Sequence, residues 1–428
     1  MAIRRISIGP GEVAGYFSGL KSGFDELGVP CEHFVLAANK FGYQESDYFL
    51  RSAFQAGASL SESKNYVARL IGRLWTRGVR AAVFLSALIR CDVFIFSGFT
   101  TFIRFRELPL LKLLGKKVIV VFLGSDARPP IFSGRHLDDE GAHVDTASAY
   151  VEAVQMVKKI RKIERYADVI VNHTATAQFF TRDFIRFIAV GMPLDGQVDM
   201  VKDTPHHAIR ILHAPSRPRA KGSLDFRKIV DELSAEGYSI NFIELVGVPN
   251  SVVLQELQKC DFVIDELYSD VPLAMFASEA AMFGKPVVVG GYYAVQLNSD
   301  NPDSIVPPSL YVEPEGIKQA IRKMLDDREF RLEMGMQAYD FIRNNWSARM
   351  IAKNYLCLIN DDIPKNWISD PRDLDYCWGW GLSKENWRKQ VGEYVAQLGS
   401  DALMFNHNPK LKQKVLDEIE QGKVTLVS

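Results

Sequence analysis

The sequence has few cysteines, little net charge and no long apolar run. Its five cysteines are scattered and form no C-x-x-C pair, which argues against a zinc site and favours reduced thiols in the cytoplasm. A net charge of −1 gives no overall field that would draw the chain to nucleic acid. The longest apolar region, residues 81–89, is too short to span a bilayer. No secretory leader precedes the first strand-like run, so a cytoplasmic protein is expected.

What the sequence does contain is a regular alternation of apolar strand-like runs and helical stretches. At 428 residues, with 47% hydrophobic and 24% charged residues, the chain is long enough for two globular domains. Strands that alternate with helices predict parallel sheets. The expected fold class is therefore α/β.

Residues 209–222 carry the strongest sign of a binding site. Arg217, Arg219 and Lys221 follow an apolar run that is typical of a buried parallel strand. A helical segment then begins near Ser223. The first N–H groups of a helix and its dipole favour an anion, and cations beside them suit a diphosphate. A solvated basic turn after an ordinary strand is the competing interpretation.

A second strand-like run, residues 261–265, ends in Asp265. A loop and a helix that carries Glu279 follow it, and the next apolar run is 287–289. Ligands of open parallel sheets collect outside the carboxyl ends of the strands. We therefore expect both stretches to present their loops at the same edge of one sheet.

The segments HAPSRPRAKG at 213–222 and SEAAMFGKPVVVGG at 278–291 together resemble family 4 of the retaining glycosyltransferases. A bacterial subgroup with HAPS…KG after a strand is the most similar, and the likeness covers roughly residues 1–358. It implies the GT-B fold, in which two Rossmann-like domains with parallel sheets face a central cleft. The two segments are weak signals singly and fairly specific in combination.

The resemblance also implies a division of the chain. An acceptor domain is expected over residues 1–195, a nucleotide-sugar domain over 208–345, and a helix that crosses back to the first domain over 346–360. The polar stretch 192–207 is the expected linker. Residues 361–428 lie beyond the family pattern and hold four of the six tryptophans, which favours packing on the body or on a partner, a second copy included.

The resemblance gives Lys221 the role of stabilising the negative charge that grows on the departing diphosphate, and preorganised cations do this efficiently. In family 4 an arginine lies five positions before this lysine. Ser216 occupies that position here, so Arg217 or Arg219 is expected to take its place. Lys221, Arg217 and Asp126, an acceptor-side residue, are the expected catalytic residues.

Family 4 also has two glutamates eight positions apart. Glu279 matches the second, which binds the ribose, and a carboxylate suits a vicinal diol because it accepts from both hydroxyls. Val271 stands at the position of the first glutamate, which holds the transferred sugar in the family. Asp265, Glu266 and Asp270 are the candidates for this role here.

Three further stretches are expected to touch the donor. N–H groups around Met275 and Phe276 would hold the phosphate near a helix start, and the loop at Gly247 and Val248 would suit the base. The loop after the first strand, with Gly11 and Glu12, resembles the glycine-bearing loop that faces the cleft in GT-B transferases. It is no clean G-x-G-x-x-G motif, and a tight strand-to-helix turn is the alternative.

Polar residues at two strand ends of the first half are the expected acceptor contacts. Asp126 would orient an acceptor hydroxyl, and Arg128 would meet an anionic group. A mutual Asp126–Arg128 pair that braces the loop is the alternative. His173 would contact the acceptor, or it would be a structural histidine with its hydrogen bonds satisfied within the protein. The polar stretch 134–144 is interpreted as an acceptor loop because its histidines fit no usual zinc spacing.

Four arginines, at positions 69, 73, 77 and 80, are spaced to share one face of a helix. In lipid-modifying relatives of the resembled family such a face contacts the membrane. A solvated helix surface is the alternative. Contact with the inner face of a membrane is thus one expectation for an otherwise cytoplasmic protein.

The resemblance implies a glycosyltransferase with a UDP- or GDP-linked sugar donor and a glycan, lipid-linked or other acceptor. The resemblance implies retention of anomeric configuration and a place in surface or exported polysaccharide synthesis. No cofactor or metal is expected, since lysine and the helix dipole would supply the positive charge. Two alternatives are a nucleotide-sugar-binding module without catalysis, motivated by Ser216 and Val271, and a GT-B epimerase or phosphorylase.

Overall fold

Two runs of parallel strands form the framework of the chain. The first sheet has the strand order β12-β6-β5-β4-β3-β1-β2. Its strands are β1 (Ile6–Ile8), β2 (Cys31–His33), β3 (Val93–Ser97), β4 (Lys117–Val121), β5 (Val169–Val171), β6 (Phe184–Ile185) and β12 (Ile368–Ser369). The computed structural model describes residues 4–36, 48–136, 145–186, 208–300 and 308–425.

The second sheet follows in the chain and is parallel throughout, in the order β11-β10-β9-β7-β8. Its strands are β7 (Ile209–His213), β8 (Ile240–Glu244), β9 (Phe262–Ile264), β10 (Val287–Gly290) and β11 (Leu310–Val312). Both faces of this sheet are covered. Val263 packs in one hydrophobic cluster, whereas Phe262 and Ile264 pack in another. Near-continuous apolar strands are typical of parallel sheets buried on both sides.

Helices connect the strands of both sheets, as the alternating pattern predicts. In the first half they are α1 (Tyr16–Glu26), α2 (Tyr48–Ser61), α3 (Tyr66–Arg90), α4 (Leu108–Leu113) and α5 (Thr146–Tyr166). In the second half they are α6 (Ser223–Ala235), α7 (Asn250–Leu257), α8 (Met275–Met282), α9 (Ala294–Asp300), α10 (Ile317–Asp326), α11 (Arg328–Phe341) and α12 (Ala348–Ile359). The expected α/β class with two Rossmann-like units is confirmed.

Helix α12 returns from the second half and packs on α1 of the first. A Cβ at Gly23 would lie 1.9 Å from the carbonyl oxygen of Ala348, so only glycine allows this approach. The hydroxyl groups of Tyr16 and Tyr355 share a buried hydrogen bond of 2.7 Å. One hydrophobic cluster therefore runs from the first half through α12 into the second.

The C-terminal extension, with α13 (Lys384–Leu398) and α14 (Pro409–Thr425), packs on the first half. Trp387 and Tyr394 are almost fully buried in the same cluster as Phe132. Strand β12 pairs antiparallel with β6, in contrast to the parallel pairs of the rest of that sheet. The tryptophan-rich tail thus joins the core of the body.

Parts of the sequence prediction fall outside the described residues. The expected linker at 192–207 lies outside them, as does most of the polar stretch 134–144. Within the described ranges, no helix is long and apolar enough to cross a membrane.

Candidate active site

Lys221 lies at the carboxyl edge of the second sheet, in the loop between β7 and α6. The loop ends at Gly222, whose φ of +80° favours glycine. A Cβ at this position would also lie 2.4 Å from the Cβ of Leu267. His213 at the end of β7 fastens the loop, because its ring nitrogens lie 2.9 Å from the Ile264 carbonyl and 2.8 Å from the Ser223 hydroxyl.

The ammonium group of Lys221 is buried between two carboxylates that follow β9. Its Nζ donates to Asp265 Oδ1 over 2.9 Å and lies 3.0 Å from Glu266 Oε1. Burial by itself lowers the pKa of Lys221, but the two carboxylates outweigh it and raise the pKa above its ordinary value. Lys221 is therefore a fixed positive charge at the edge where ligands of such sheets collect.

The two carboxylates differ in their surroundings. Burial raises the pKa of Asp265, and its buried Oδ2 atom has no hydrogen-bond partner among the residues that the structure describes. Burial also acts to raise the pKa of Glu266, but Lys221 and a hydrogen bond from Trp380 outweigh it and hold the pKa below its ordinary value. Glu266 is thus stabilised in its ionised form by Lys221 and Trp380.

Glu279 lies on α8 and is 6% exposed. Asn250 at the start of α7 donates to its Oε1 over 3.1 Å. Burial, reinforced by the charge of Asp265, raises the pKa of Glu279 to about 7. Sequence reasoning placed Glu279 in this site but missed Asn250, whose partner lies on another helix.

Trp380, in the tail, is a residue of the site that sequence reasoning missed. Its indole Nε1 donates to Glu266 Oε2 over 2.8 Å, and the guanidinium of Arg128 lies 5.8 Å from the ring centroid. The flanking backbone is tied to both halves, since Gly134 donates to the Trp380 carbonyl and Gly381 donates to that of Tyr268. The number of tryptophans in the tail was the available signal, but it did not show which of them would reach the site.

Arg128 and Asp270 join the two halves of the molecule. Arg128 Nε donates to Asp270 Oδ2 over 2.9 Å, and both side chains are buried. The alternative that Arg128 braces its own loop by pairing with Asp126 is therefore wrong. Asp126 instead accepts from the backbone of Leu123 over 2.9 Å.

Asp126 is a second buried carboxyl group with an unsatisfied oxygen. Within the described part of the chain its Oδ2 has no hydrogen-bond partner, and burial raises the pKa of Asp126 to about 6. Lys159 bridges the carbonyl oxygens of Asp126 and Gly98 at 2.8 Å each. Asp126 thus lies buried in the first half, where the charge of Lys159 partly offsets the effect of burial on its pKa.

His173 and Glu12 serve the local backbone in this structure. The Nδ1 atom of His173 accepts from the backbone N–H of Ala175 over 3.1 Å, and burial lowers the pKa of His173 to about 4. Glu12 accepts from the backbone N–H groups of Phe17 and Ser18 at the start of α1. A carboxylate at a helix start is favourable, so Glu12 stabilises the turn.

The other expected residues differ in how far they are exposed. Arg217 is exposed and donates to the carbonyl of Arg135 over 3.2 Å. The structure brings together Lys221, Asp265, Glu266 and Glu279 with the Arg128–Asp270 pair. Of the remaining expected residues, Ser216 and Gly247 are exposed and Phe276 is buried. Four others are half-buried: Gly11, Arg219, Val248 and Met275. Among the described residues, no group of three His, Cys, Asp or Glu side chains is placed to hold a metal ion.

No protein-family model matches the chain, and no curated protein matches its sequence significantly. Among solved structures, HepE from Anabaena, in complex with UDP and glucose, is 11% identical, with 84% of this chain and 100% of that chain covered and a TM-score of 0.44. The glycosyltransferase SnogD from Streptomyces nogalater is 13% identical over 83% and 100% of the two chains, with a TM-score of 0.40. A UDP-N-acetylglucosamine 2-epimerase is 13% identical over 85% and 97%, with a TM-score of 0.41. Similarities this low do not establish a shared activity.

Proposed function

We propose that the chain is a glycosyltransferase that uses a nucleotide-sugar donor. The observation that supports this most is the buried ammonium of Lys221 beside the start of α6, at the carboxyl edge of a parallel sheet. A diphosphate bound there would compete with Asp265 and Glu266 for that ammonium. As the bond to the sugar breaks, Lys221 would stabilise the charge that grows on the departing phosphate.

The surroundings of Glu279 support a nucleotide as the leaving group. A carboxylate can accept from both hydroxyls of a ribose, and Asn250 holds one oxygen of Glu279 in place. The exposed loop at Gly247 precedes α7 and would contact the base. We propose a UDP- or GDP-linked sugar as the donor.

The first half would hold the acceptor, which we propose to be a glycan or a lipid-linked sugar of a surface polysaccharide. Asp126 and Arg128 are the residues that we propose for it, whereas His173 holds the local backbone. Asp270, in the second half, accepts a hydrogen bond from Arg128. We propose Asp270 as the residue that holds the transferred sugar.

The proposed reaction retains the anomeric configuration. The bond between the anomeric carbon and the phosphate oxygen breaks, and the acceptor oxygen bonds to the same face of that carbon. The acceptor proton passes to the departing phosphate, so no protein nucleophile is required. Lys221 would provide the positive charge without a metal ion.

A nucleotide-sugar-binding module without catalysis is the second candidate. The observation in its favour is that Lys221 already has two carboxylate partners, Asp265 and Glu266. Ser216 and Val271 also stand where family 4 has functional side chains.

An assay of the purified chain with UDP- and GDP-sugars, with and without acceptors, separates these functions. A transferase forms a glycosylated product or hydrolyses the donor slowly, and Lys221→Met abolishes both. Lys318→Met, which removes a half-exposed ion pair on α10, is the matched control. Nucleotide binding without turnover would favour the module, and a new sugar-nucleotide isomer without acceptor would identify an epimerase. Failure to bind any nucleotide would contradict the proposal.

A further inference from the structure

The C-terminal tail reaches the candidate active site through one short segment, residues 379–381. The backbone N–H of Trp380 donates to the carbonyl of Phe132 in the first half over 3.2 Å. On the side of the second half, a Cβ at Gly381 would lie 3.1 Å from the Cβ of Ala220, which directly precedes the buried lysine. Gly381 also has a φ of +75°, which favours glycine. The position of the Trp380 indole is therefore fixed by backbone contacts on both sides.

A chain of polar contacts links this indole to the ammonium of Lys221. The indole Nε1 of Trp380 donates to Glu266 Oε2 over 2.8 Å, and Glu266 Oε1 lies 3.0 Å from Lys221 Nζ. Each oxygen of this buried carboxylate thus has its own donor. Glu266 would keep a hydrogen bond to Trp380 if Lys221 turned away from it.

The role of Trp380 rests on the proposed function, in which a diphosphate competes with Asp265 and Glu266 for the ammonium of Lys221. When the ammonium turns to the diphosphate, Glu266 loses a charged partner while it remains buried. A buried carboxylate without a hydrogen bond is costly, so this cost opposes binding of the diphosphate. The indole N–H of Trp380 reduces the cost because it stays on Glu266.

We propose that Trp380 is a positioning residue of the donor site. It holds Glu266 by a hydrogen bond, so that Lys221 can pass to the diphosphate. Trp380 acts through Glu266 and needs no contact with the ligand. The tail, which lies beyond the resembled family pattern, thereby takes part in donor binding.

Calorimetric titration of UDP, GDP and inorganic pyrophosphate into the full chain tests this role. Trp380→Phe keeps an aromatic ring but removes the indole N–H, and it should bind the anions about tenfold more weakly than the unmodified protein. The matched control is Trp378→Phe, which removes an indole that packs on Tyr292 and Trp387. It should bind as the unmodified protein does, and both variants should retain a cooperative thermal transition. Equal affinity in Trp380→Phe and the unmodified protein would overturn the proposal.

The same titration in a Glu266→Gln background distinguishes a positioning role from direct contact. A neutral amide has no charge that the indole must hold, so Glu266→Gln/Trp380→Phe should bind as Glu266→Gln does. If the tenfold loss persists in this background, Trp380 contacts the ligand itself and the positioning role is wrong.

A measurement without ligand separates this inference from the proposed function. One of the six indole N–H signals in the nuclear magnetic resonance spectrum should move in Glu266→Gln, and it should be the signal that Trp380→Phe lacks. Absence of this shift would overturn the inference whatever the chain binds. Binding of pyrophosphate alone, weakened in Trp380→Phe, would contradict the proposed function and support the inference. Failure to bind any of the three anions would contradict both.

Discussion

At the scale of single residues, Lys221 is held by charges that the sequence places 44 and 45 positions away. Its ammonium and the carboxylates of Asp265 and Glu266 are all buried, so each depends on the others for its charge. Removing one partner of such a buried ion pair lowers the stability of the fold, because the remaining charges stay buried and unpaired.

Lys221→Met should therefore lower the free energy of unfolding by about 3 kcal/mol. Adding Asp265→Asn and Glu266→Gln to this variant should restore part of the loss, since neutral amides no longer need the ammonium. Urea unfolding of the three proteins measures both effects. If the single variant unfolds at the same urea concentration as the unmodified protein, Lys221 is not paired as described.

Glu279 should make both stability and nucleotide affinity depend on pH. Its pKa is raised to about 7 from an ordinary 4.5, so the folded protein holds this proton more tightly than the unfolded chain. Stability should fall as pH rises from 4.5 to 7, by at most about 3 kcal/mol from this group. Nucleotide affinity should rise over pH 6 to 8, because the ionised carboxylate accepts from the ribose.

The matched variant is Glu279→Gln, which should flatten both pH profiles. Thermal unfolding and nucleotide titration across this range measure them. A profile that is unchanged by Glu279→Gln would assign the titration to another group, with Asp126 the next candidate because burial also raises its pKa.

The residue pattern and the resemblance to family 4 together pointed to part of this centre. Lys221 could be expected at the sheet edge because it follows a predicted parallel strand, and Glu279 was expected from its match to the ribose-binding glutamate of the family. The ion-pair partners of Lys221 were not predicted, because Asp265 and Glu266 were considered only as residues that hold the transferred sugar. Trp380 could not be found, because its contact with Glu266 spans 114 positions and depends on how the tail packs.

At the scale of elements, most helices and strands follow from apolar periodicity, and strand β7 lies in the apolar run that precedes the basic residues 217–221. Strand β11 and helix α2 were not predicted. The former is only three residues long and half-buried, so its apolar signal is weak. Strand β12 is two residues long and depends on its antiparallel pairing with β6, which local sequence does not encode.

Two glycines of α3 test how this helix is oriented. Gly72→Ala should destabilise the protein, because the added Cβ would collide with α2 at Ser61. Gly78→Ala has open space around it and should stabilise the helix by up to about 1 kcal/mol. Denaturant midpoints of the two variants measure the difference. The opposite order would mean that Gly78, and not Gly72, faces α2.

At the scale of the whole molecule, the Arg128–Asp270 pair and the tail connect the two halves. A double-mutant cycle of Arg128→Ala and Asp270→Ala should give a coupling free energy of at least about 1.5 kcal/mol, as expected for close buried charge pairs. Urea unfolding supplies the four values. A coupling near zero would show that this contact does not hold the halves together.

Deletion of residues 361–428 should abolish the folded state of the first half. The deletion would remove Trp387 and Tyr394 from a shared core and expose Phe132. We expect insoluble protein, or loss of the cooperative thermal transition in calorimetry. A soluble truncated chain with an unchanged transition would show that the tail is a separate attachment.

The most direct test of the central claim is calorimetric titration of UDP and GDP into the unmodified protein, Lys221→Met and Lys318→Met. We expect one of the nucleotides to bind, with affinity reduced between about tenfold and a hundredfold in Lys221→Met, as expected for a lost charged hydrogen bond. Lys318→Met should bind as the unmodified protein does. Equal affinity in all three proteins would contradict a diphosphate site at Lys221.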